Sequence, residues 1–262
     1  MTPALRDVIL LHGYSAEASA LFSRASTQPA AADKAAIDTA LKGLKAASLL
    51  TKFDGLWVTG ADTAQFGQRN WVQDLYNLIP INSPAFTTKG GYKGDGSSSY
   101  LQFGADHNAW AKFAQNDAHM MVWVVELPTV FSTAEIGIYS GTDRARLRVT
   151  DNAGGAGKTA GRINQASTSS PAGITRGTWM IIVTRADATN IAFYRNDDQS
   201  QAVTVTSEAL TASAMGLLRS LDSHSDARIV AASLGSGLSA VDKSNLYSIL
   251  GTCLTTMGVP TS

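Results

Sequence analysis

The sequence has only one cysteine, Cys253, among its 262 residues. A single cysteine excludes an intramolecular disulfide and any metal site built from several thiolates. A chain of this length buries a large core without such cross-links. Cys253 falls on the apolar stripe of a predicted helix, so we interpret it as a small buried hydrophobic residue.

Charge is also scarce in this sequence. Charged residues make up 16% of the chain, whereas roughly 25% is typical of soluble proteins. The 21 basic residues balance the 21 acidic ones and form no basic cluster, which argues against a nucleic-acid partner. The apolar run from Val8 to Leu11 is too short for a signal peptide or a membrane helix. We therefore expect neither nucleic-acid binding nor membrane insertion.

Two segments have the apolar period of an amphipathic helix. The first covers about 30–50, and the second covers about 240–257. Ser239 is the expected N-cap of the second helix, and Asp242 follows three residues later in a variant of the capping box. The apolar stripe of this helix consists of Leu246, Ile249, Leu250, Cys253, Leu254 and Met257.

Short β-like runs separated by Gly, Asn, Asp and Pro fill the sequence between these helices. We expect strands near 56–60, 84–88, 99–104, 119–126, 135–140, 144–150, 179–185, 190–196, 201–206 and 227–234. The run 119–126 is apolar at successive positions, which predicts a strand buried on both faces. In 144–150, Leu147 and Val149 alternate with Arg146 and Arg148, which predicts one solvated face.

About ten strands with few helices between them favour a mainly β fold, a β-sandwich. The predicted organisation is an extended, anchoring segment over 1–28 and a single domain over 29–262, with the sandwich at about 56–234. A run at 154–159 ends like a phosphate-binding loop, but Asn152 replaces that loop's first glycine and the preceding strand is half polar. We interpret this run as the Gly-rich tip of a hairpin.

Carboxylates are poorly arranged for catalysis in this sequence. Glycosidases on β-sandwiches need two carboxylates flanking one bond, and none of the 21 acidic residues pairs with another at i, i+2. Glu126 and Glu135 each stand alone. We therefore predict no catalytic residues. The alternative that stays open is a polysaccharide depolymerase that uses isolated acids such as Glu126 or Asp95.

One short segment has the spacing of a metal site. If this segment is extended, three side chains share a face and are suited to a divalent ion: Asp222, His224 and Asp226. We interpret the segment instead as a solvated turn before the last strand. An oxygen-ligand calcium site would draw on Asp95 with Asn82 or Asp106, although their spacing does not demand one. No cofactor is expected.

Sugar binding needs exposed aromatic side chains beside polar loops. The aromatic residues in or next to loops are the candidate glycan contacts: Tyr92, Tyr100, His107, Trp110 and Tyr139. In contrast, Trp57, Trp123 and Trp179 fall in strand-like runs, so we expect them in the core.

Three stretches resemble the laminin G-like, concanavalin A-like jelly-roll sandwich. Residues 177–185 read Gly-Thr-Trp-Met-Ile-Ile-Val-Thr-Arg, similar to a Gly-x-Trp that opens an apolar strand in that superfamily. Residues 191–196 are similar to the strand that follows, which ends in Tyr-x-Asn-Gly, with Asp197 in place of the glycine. Residues 227–239 are similar to the last strand and the start of the helix after it. The resemblance implies that fold.

A narrower resemblance covers most of the chain. Its motifs are the helix at about 30–50, Lys-Phe-Asp-Gly-Leu-Trp at 52–57, Asn70 with Trp71, and Asn-Ser-Pro-Ala-Phe-Thr at 82–87. The most specific motif is Gly-Tyr-Lys-Gly-Asp-Gly-Ser-Ser-Ser-Tyr-Leu at 91–101. With the C-terminal helix, these motifs resemble tail-associated virion proteins of bacteriophages and prophages. That family brings no catalytic residues to carry over.

The resemblance implies a virion component, made in the bacterial cytoplasm, with other virion proteins as partners. We expect its sandwich to be displayed on a tail or external appendage for contact with a host-surface glycan, and 1–28 to be the anchor. A homo-oligomer such as a trimer fits this role, although no coiled-coil heptads enforce one. A decoration or brace protein without a ligand is the further alternative.

Overall fold

The computed structural model describes residues 13–151, 158–221 and 223–262. The larger of its two main sheets has eight antiparallel strands. They are β1 (Phe53–Val58), β3 (Ala85–Thr87), β4 (Gly91–Lys93), β6 (Ala118–Glu126), β10 (Met180–Arg185), β11 (Asn190–Arg195), β12 (Gln199–Thr204) and β16 (Arg228–Gly235). Their order is β12-β11-β10-β6-β16-β4-β3, and β1 also pairs with β16.

The second sheet has six antiparallel strands in the order β2-β5-β13-β7-β8-β9. They are β2 (Ile79–Ile81), β5 (Tyr100–Asp106), β7 (Ile136–Ser140), β8 (Ala145–Asp151), β9 (Lys158–Ile163) and β13 (Ala214–Leu217). A small hairpin, β14 (Arg219–Ser220) with β15 (Ser223–His224), follows β13 directly.

The central strand β6 is buried on both faces, as its sequence predicts. Met120, Val122 and Val124 pack into the core between the two sheets. Met121 and Trp123 point the other way, into a second core between the eight-stranded sheet and the helices. The alternation of strand side chains therefore makes β6 part of both cores.

The helices are α1 (Ala16–Ser23), α2 (Ala31–Ala46), the short α3 (Ala64–Gly67) and α4 (Ala240–Thr256). The helix α4 begins with the expected capping box, in which Ser239 and Asp242 each accept a hydrogen bond from the other's backbone N–H. Apolar residues of α1, α2 and α4 pack on the eight-stranded sheet. No helix in the described ranges is long and apolar enough to cross a membrane.

The prediction of an extended segment over 1–28 is wrong for Ala16–Ser23, which is the helix α1. The Ser15 side chain accepts a hydrogen bond from Ala18 N, and Leu21 and Phe22 are fully buried against the second core. Eight residues show too little apolar period to be recognised in the sequence. The first twelve residues lie outside the described part of the chain, and so does 152–157, which holds most of the predicted Gly-rich tip.

Candidate functional site

The outer face of the six-stranded sheet, which points away from the other sheet, has a row of residues in register. Gln102 pairs with Gly216, Gly216 with Gly137, Gly137 with Arg146, and Arg146 with Arg162. Both neighbours of Arg146 in β8 belong to the core, so its own side chain points outward. The row therefore has two glycines at its centre and two arginines at one end.

The two arginines of this row share one carboxylate. Arg146 Nη1 lies 3.0 Å and Arg162 Nη1 3.5 Å from Asp143 Oδ2. Both guanidinium groups also donate to the hydroxyl of Thr168. The Nε atoms of Arg146 and Arg162 are buried and have no hydrogen-bond partner in the described part of the chain. Burial lowers the pKa of Arg162, Asp143 opposes this, and the nearby charges of Arg146 and Arg148 lower it further.

The β14–β15 hairpin rests on this face at Gly137. A Cβ atom at Gly137 would lie 2.9 Å from both the carbonyl oxygen of Arg219 and the Cβ of Ser220. The absence of a side chain at Gly137 therefore lets the hairpin backbone approach the sheet closely. Because Gly137 is the register partner of Arg146, the hairpin lies beside the arginine pair.

Glu135 is hydrogen-bonded to the residues on both sides of the hairpin. Its carboxylate accepts hydrogen bonds from Val149 N at 2.7 Å and from Ser225 Oγ at 2.9 Å, and its carbonyl accepts one from Leu218 N at 2.8 Å. Leu218 and Ser225 flank the hairpin and are bonded to each other, Ser225 N to Leu218 O, at 2.9 Å. Complete burial raises the pKa of Glu135 to about 7, although these hydrogen bonds act to lower it.

Arg219 extends from the hairpin over two tyrosine rings. Its guanidinium carbon lies 4.5 Å from the ring centre of Tyr100 and 4.7 Å from that of Tyr139. The two rings are 5.0 Å apart, and the ring of His224 lies 6.1 Å from Tyr100. We call these four residues the Arg219 cluster. Burial and the neighbouring Tyr100 raise the pKa of Tyr139 to about 12.

Arg219 has no ion pair with a carboxylate in the described ranges. Its Nε is buried without a hydrogen-bond partner there. Burial lowers the pKa of His224, and the positive charge of Arg219 lowers it further. The cluster therefore presents the positive charge of Arg219 beside an imidazole whose protonation that charge disfavours.

The structure brings together two of the five predicted glycan contacts, Tyr100 and Tyr139. The other three lie elsewhere in the fold. All three are buried, and so is Tyr100 at 8% exposed, so the prediction of exposed platforms is wrong for four of the five residues, and only Tyr139 is half-buried. Tyr92 is 2% exposed, and its hydroxyl donates to Ala64 O. Trp110 packs on Tyr76, with ring centres 4.4 Å apart. His107 is fully buried and bonded to Asn164 at 2.9 Å.

The predicted metal ligands are used in other ways where the structure describes them. The carboxylate of Asp226 accepts hydrogen bonds from Thr129 N at 2.8 Å and Thr129 Oγ1 at 2.6 Å. His224 belongs to the Arg219 cluster, and Asp222 lies outside the described residues. Within 13–151, 158–221 and 223–262, no three His, Cys, Asp or Glu residues are grouped so as to hold a metal ion.

The isolated acids have structural partners. Glu126 forms ion pairs with Lys93 at 2.5 Å and Arg228 at 2.9 Å. Asp95 accepts backbone hydrogen bonds from residues 97–99, which lower its pKa although desolvation acts to raise it. These contacts close the turn between β4 and β5 in the 91–101 motif. Glu135 is completely buried, so each of these three acids is held in structural contacts.

Arg219 is the residue of this site that sequence reasoning missed. Its partners Tyr100 and Tyr139 belong to two other strands, so no local pattern marks the contact. The pairing of Arg146 with Arg162 was also missed, because β9 was not predicted as a strand. Arg146 had a visible signal in its alternation with core residues, but only the folded sheet places Arg162 beside it.

No protein-family model matches this chain, and no curated protein matches it. Solved structures do resemble it. One is Trypanosoma rangeli sialidase in complex with sialic acid, with a TM-score of 0.52 and 13% identity over 75% of this chain and 33% of that one. Another is domain 4 of AbnA, a GH43 extracellular arabinanase from Geobacillus stearothermophilus, in complex with arabinotriose. Its TM-score is 0.51, with 10% identity over 75% of this chain and 98% of that one.

The receptor binding domain of botulinum neurotoxin D is also similar, with a TM-score of 0.50 and 11% identity over 76% of this chain and 53% of that one. This chain thus spans about a third of the length of the sialidase. At such identities the likeness shows the fold and not an activity. The predicted fold class, a mainly β jelly-roll sandwich with an N-terminal and a C-terminal helix, is confirmed.

Proposed function

We propose that this chain is a bacteriophage virion protein whose sandwich contacts host-surface glycans without cleaving them. The observation that carries the binding role is the Arg219 cluster, in which two tyrosine rings hold an arginine that lacks a carboxylate partner in the described chain. The virion location rests on the sequence resemblance of 52–57 and 91–101 to phage tail-associated proteins.

The geometry of the cluster supports sugar contact. A guanidinium that stacks on an aromatic ring keeps its N–H edges free to donate to ligand oxygens, and the stacking limits the conformational entropy lost on binding. Sugars offer many oxygen acceptors at the spacing of such a fork. Domain 4 of the arabinanase AbnA, which this chain matches over 98% of that domain, was solved with arabinotriose bound, which also supports the proposal.

The non-catalytic part of the proposal follows from the acids. Glycoside cleavage by the usual route needs an acid and a second carboxylate on either side of one bond. Glu126 is bound in two ion pairs, Asp95 closes a backbone turn, and Glu135 is buried under the hairpin. Each of the three is therefore engaged in contacts that hold the fold together.

A glycan array with the purified chain tests the binding role, using Tyr139→Ala and the control Tyr247→Ala. Tyr247 stacks on Trp123 at 5.5 Å in the helix layer, so its loss removes a tyrosine away from the Arg219 cluster. We expect binding that Tyr139→Ala abolishes and Tyr247→Ala retains. If the chain binds no glycan on the array, the binding role is contradicted and the brace alternative is favoured. Release of new reducing ends from a bound polymer favours the depolymerase.

The virion location needs its own measurement. Mass spectrometry of phage particles purified from the bacterium that carries this sequence is expected to detect the chain in stoichiometric amounts. Particles that lack the chain, although it is expressed during induction, contradict the location and leave the binding role to be judged by the array.

A further inference from the structure

Resting on the proposed function, we propose that the glycan is acidic and that Arg219 pairs with a carboxylate of the sugar, with the Arg146–Arg162 pair next to it. The ligand class is a polysaccharide whose repeating sugars carry carboxylates. The proposal deepens the binding role by assigning the charge that the site selects.

Arg219 itself carries a charge that has no carboxylate partner in the described chain. Its guanidinium lies over two tyrosine rings, where water is partly excluded, and no described carboxylate pairs with it. A desolvated charge without a partner costs stability, and a ligand carboxylate recovers that cost through charge-assisted hydrogen bonds. A neutral sugar makes hydrogen bonds there but leaves the charge uncompensated.

Arg219 also covers the two tyrosine rings. Its guanidinium lies near the centres of both Tyr100 and Tyr139, and Tyr100 is only 8% exposed. An uncharged sugar ring stacks best on an open aromatic face. The cluster instead offers a planar cation, whose natural partner is a carboxylate.

Further positive charge lies next to the Arg219 cluster. Arg146 and Arg162 share the single carboxylate of Asp143, and both keep a buried Nε without a described partner. The backbone of Arg219 lies on Gly137, which is the register partner of Arg146. The three arginines therefore lie along one stretch of the outer face, which suits a polymer with successive carboxylates.

The experiment compares acidic polymers with their own methyl esters. The probes are polygalacturonate, alginate and polysialic acid, each beside its methyl-esterified form, with dextran as a neutral polymer and duplex DNA as a phosphate polymer. Esterification removes the carboxylate charge and leaves the sugar backbone. We expect at least one acidic polymer to bind, its ester to bind about tenfold or more weakly, and affinity to fall at about 0.5 M NaCl.

Variants of the full chain locate the contact. Arg219→Gln is expected to lose about tenfold or more in affinity for the acidic polymer, and Arg219→Lys to recover part of it. The control is Lys45→Gln, which changes the net charge equally but lies on α2, in the helix layer. Lys45 pairs with Glu17 and is 64% exposed, so little stability depends on it. Thermal unfolding of each variant checks the fold.

Each other outcome has a definite meaning. Binding to dextran, or equally to acid and ester, overturns the acidic assignment and leaves the glycan role standing. Binding to no glycan probe overturns both. Binding to duplex DNA as tight as to the acidic polymers overturns the carboxylate assignment. An equal loss in Lys45→Gln and Arg219→Gln shows an effect of net charge and overturns the role of Arg219.

Discussion

The carboxyl group of Glu135 accepts a hydrogen bond of 2.9 Å from the hydroxyl of Ser225. This bond connects the residue just before β7 to the segment that follows the hairpin. Ser225 in turn donates its backbone N–H to Leu218, which precedes the hairpin. The carboxyl group and the backbone carbonyl of Glu135 thus bond to the two ends of the element that carries Arg219 and His224. The position of the Arg219 cluster depends on Glu135.

The ionisation of Glu135 predicts a specific pH dependence of stability. Burial raises its pKa from 4.5 to about 7, so the folded chain keeps a proton that the unfolded chain releases between these values. The free energy of unfolding therefore falls as pH rises from 4.5 to 7, by about 3 kcal/mol. Glu135→Gln stays neutral and lacks this fall. Urea unfolding is expected to show that the free energy of unfolding of Glu135→Gln, relative to that of the wild type, is higher at about pH 8 than at about pH 5.

The control for this experiment is Glu126→Gln. The ion pair with Lys93 lowers the pKa of Glu126, so this carboxylate contributes stability above its unfolded pKa that is lost in acid. The free energy of unfolding of Glu126→Gln is therefore expected to fall slightly relative to that of the wild type as pH rises. The same trend in both variants would mean that Glu135 is not protonated in the folded chain.

Local patterns explain why much of the fold was predictable. Strand β6 is apolar at successive positions, and helix α4 has an apolar stripe, so both elements can be recognised from the sequence alone. Strand β9 was missed because it reads Lys-Thr-Ala-Gly-Arg-Ile, whose small and polar residues have little β-propensity. It is a strand because β8 pairs with it.

The site was harder to predict because its contacts are remote in the sequence. Aromatic residues beside loops were a usable signal for the paired rings of Tyr100 and Tyr139. The same signal also selected Tyr92, His107 and Trp110, which lie elsewhere, and all of these residues except Tyr139 are buried. Whether a loop-side ring is exposed depends on what packs over it. That information lies in other strands.

Asp54 shows the same limit and carries a second prediction. Asp54 with Gly55 has the composition of a turn, yet it lies in β1, where its carboxylate accepts the N–H groups of Ala111 at 3.1 Å, Lys112 at 2.9 Å and Phe113 at 2.8 Å. Asp54→Asn replaces one acceptor oxygen with a donor that faces these N–H groups. We expect a loss of about 2 kcal/mol or more in the free energy of unfolding, because a buried N–H is left unsatisfied.

Urea unfolding of Asp54→Asn beside Asp74→Asn measures this effect. Asp74 is 64% exposed, so its variant makes the same chemical change at the surface and is expected to stay within about 0.5 kcal/mol of the wild type. Equal small losses in the two variants would show that the backbone of 111–113 finds other acceptors.

His119 predicts a loss of stability in mild acid. Its ring is fully buried, with Nδ1 at 2.6 Å from Ser236 O and Nε2 at 3.0 Å from Ser233 Oγ. The carbonyl only accepts, so Nδ1 carries the proton and Nε2 accepts from the serine hydroxyl. Burial lowers the pKa of His119 to about 4. Between this pKa and the ordinary value of 6.5, the His119 ring therefore stays neutral in the folded chain, whereas in the unfolded chain it binds a proton.

The sign of this effect is opposite to that of Glu135. As pH falls from 6.5 towards 4, His119 costs the folded state about 3 kcal/mol. His119→Gln cannot take up a proton in this range, so its free energy of unfolding is expected to fall less steeply. Nuclear magnetic resonance titration of the wild type provides an independent check. A ring signal of His119 that titrates near pH 6.5 contradicts the assignment.

Gly94 ties the 91–101 motif to the site and carries the last prediction. A Cβ atom there would lie 1.9 Å from the carbonyl oxygen of Ser225, the residue that bonds to Glu135. Backbone cannot yield that far, so Gly94→Ala is expected to lose about 2 kcal/mol or more and to displace the hairpin that carries Arg219. The control is Gly13→Ala, since no atom of the described residues, its chain neighbours apart, lies within 4 Å of its added Cβ. Both are measured by urea unfolding and by affinity for whichever glycan the wild type binds. A stable Gly94→Ala with unchanged affinity would mean that the motif does not position the hairpin.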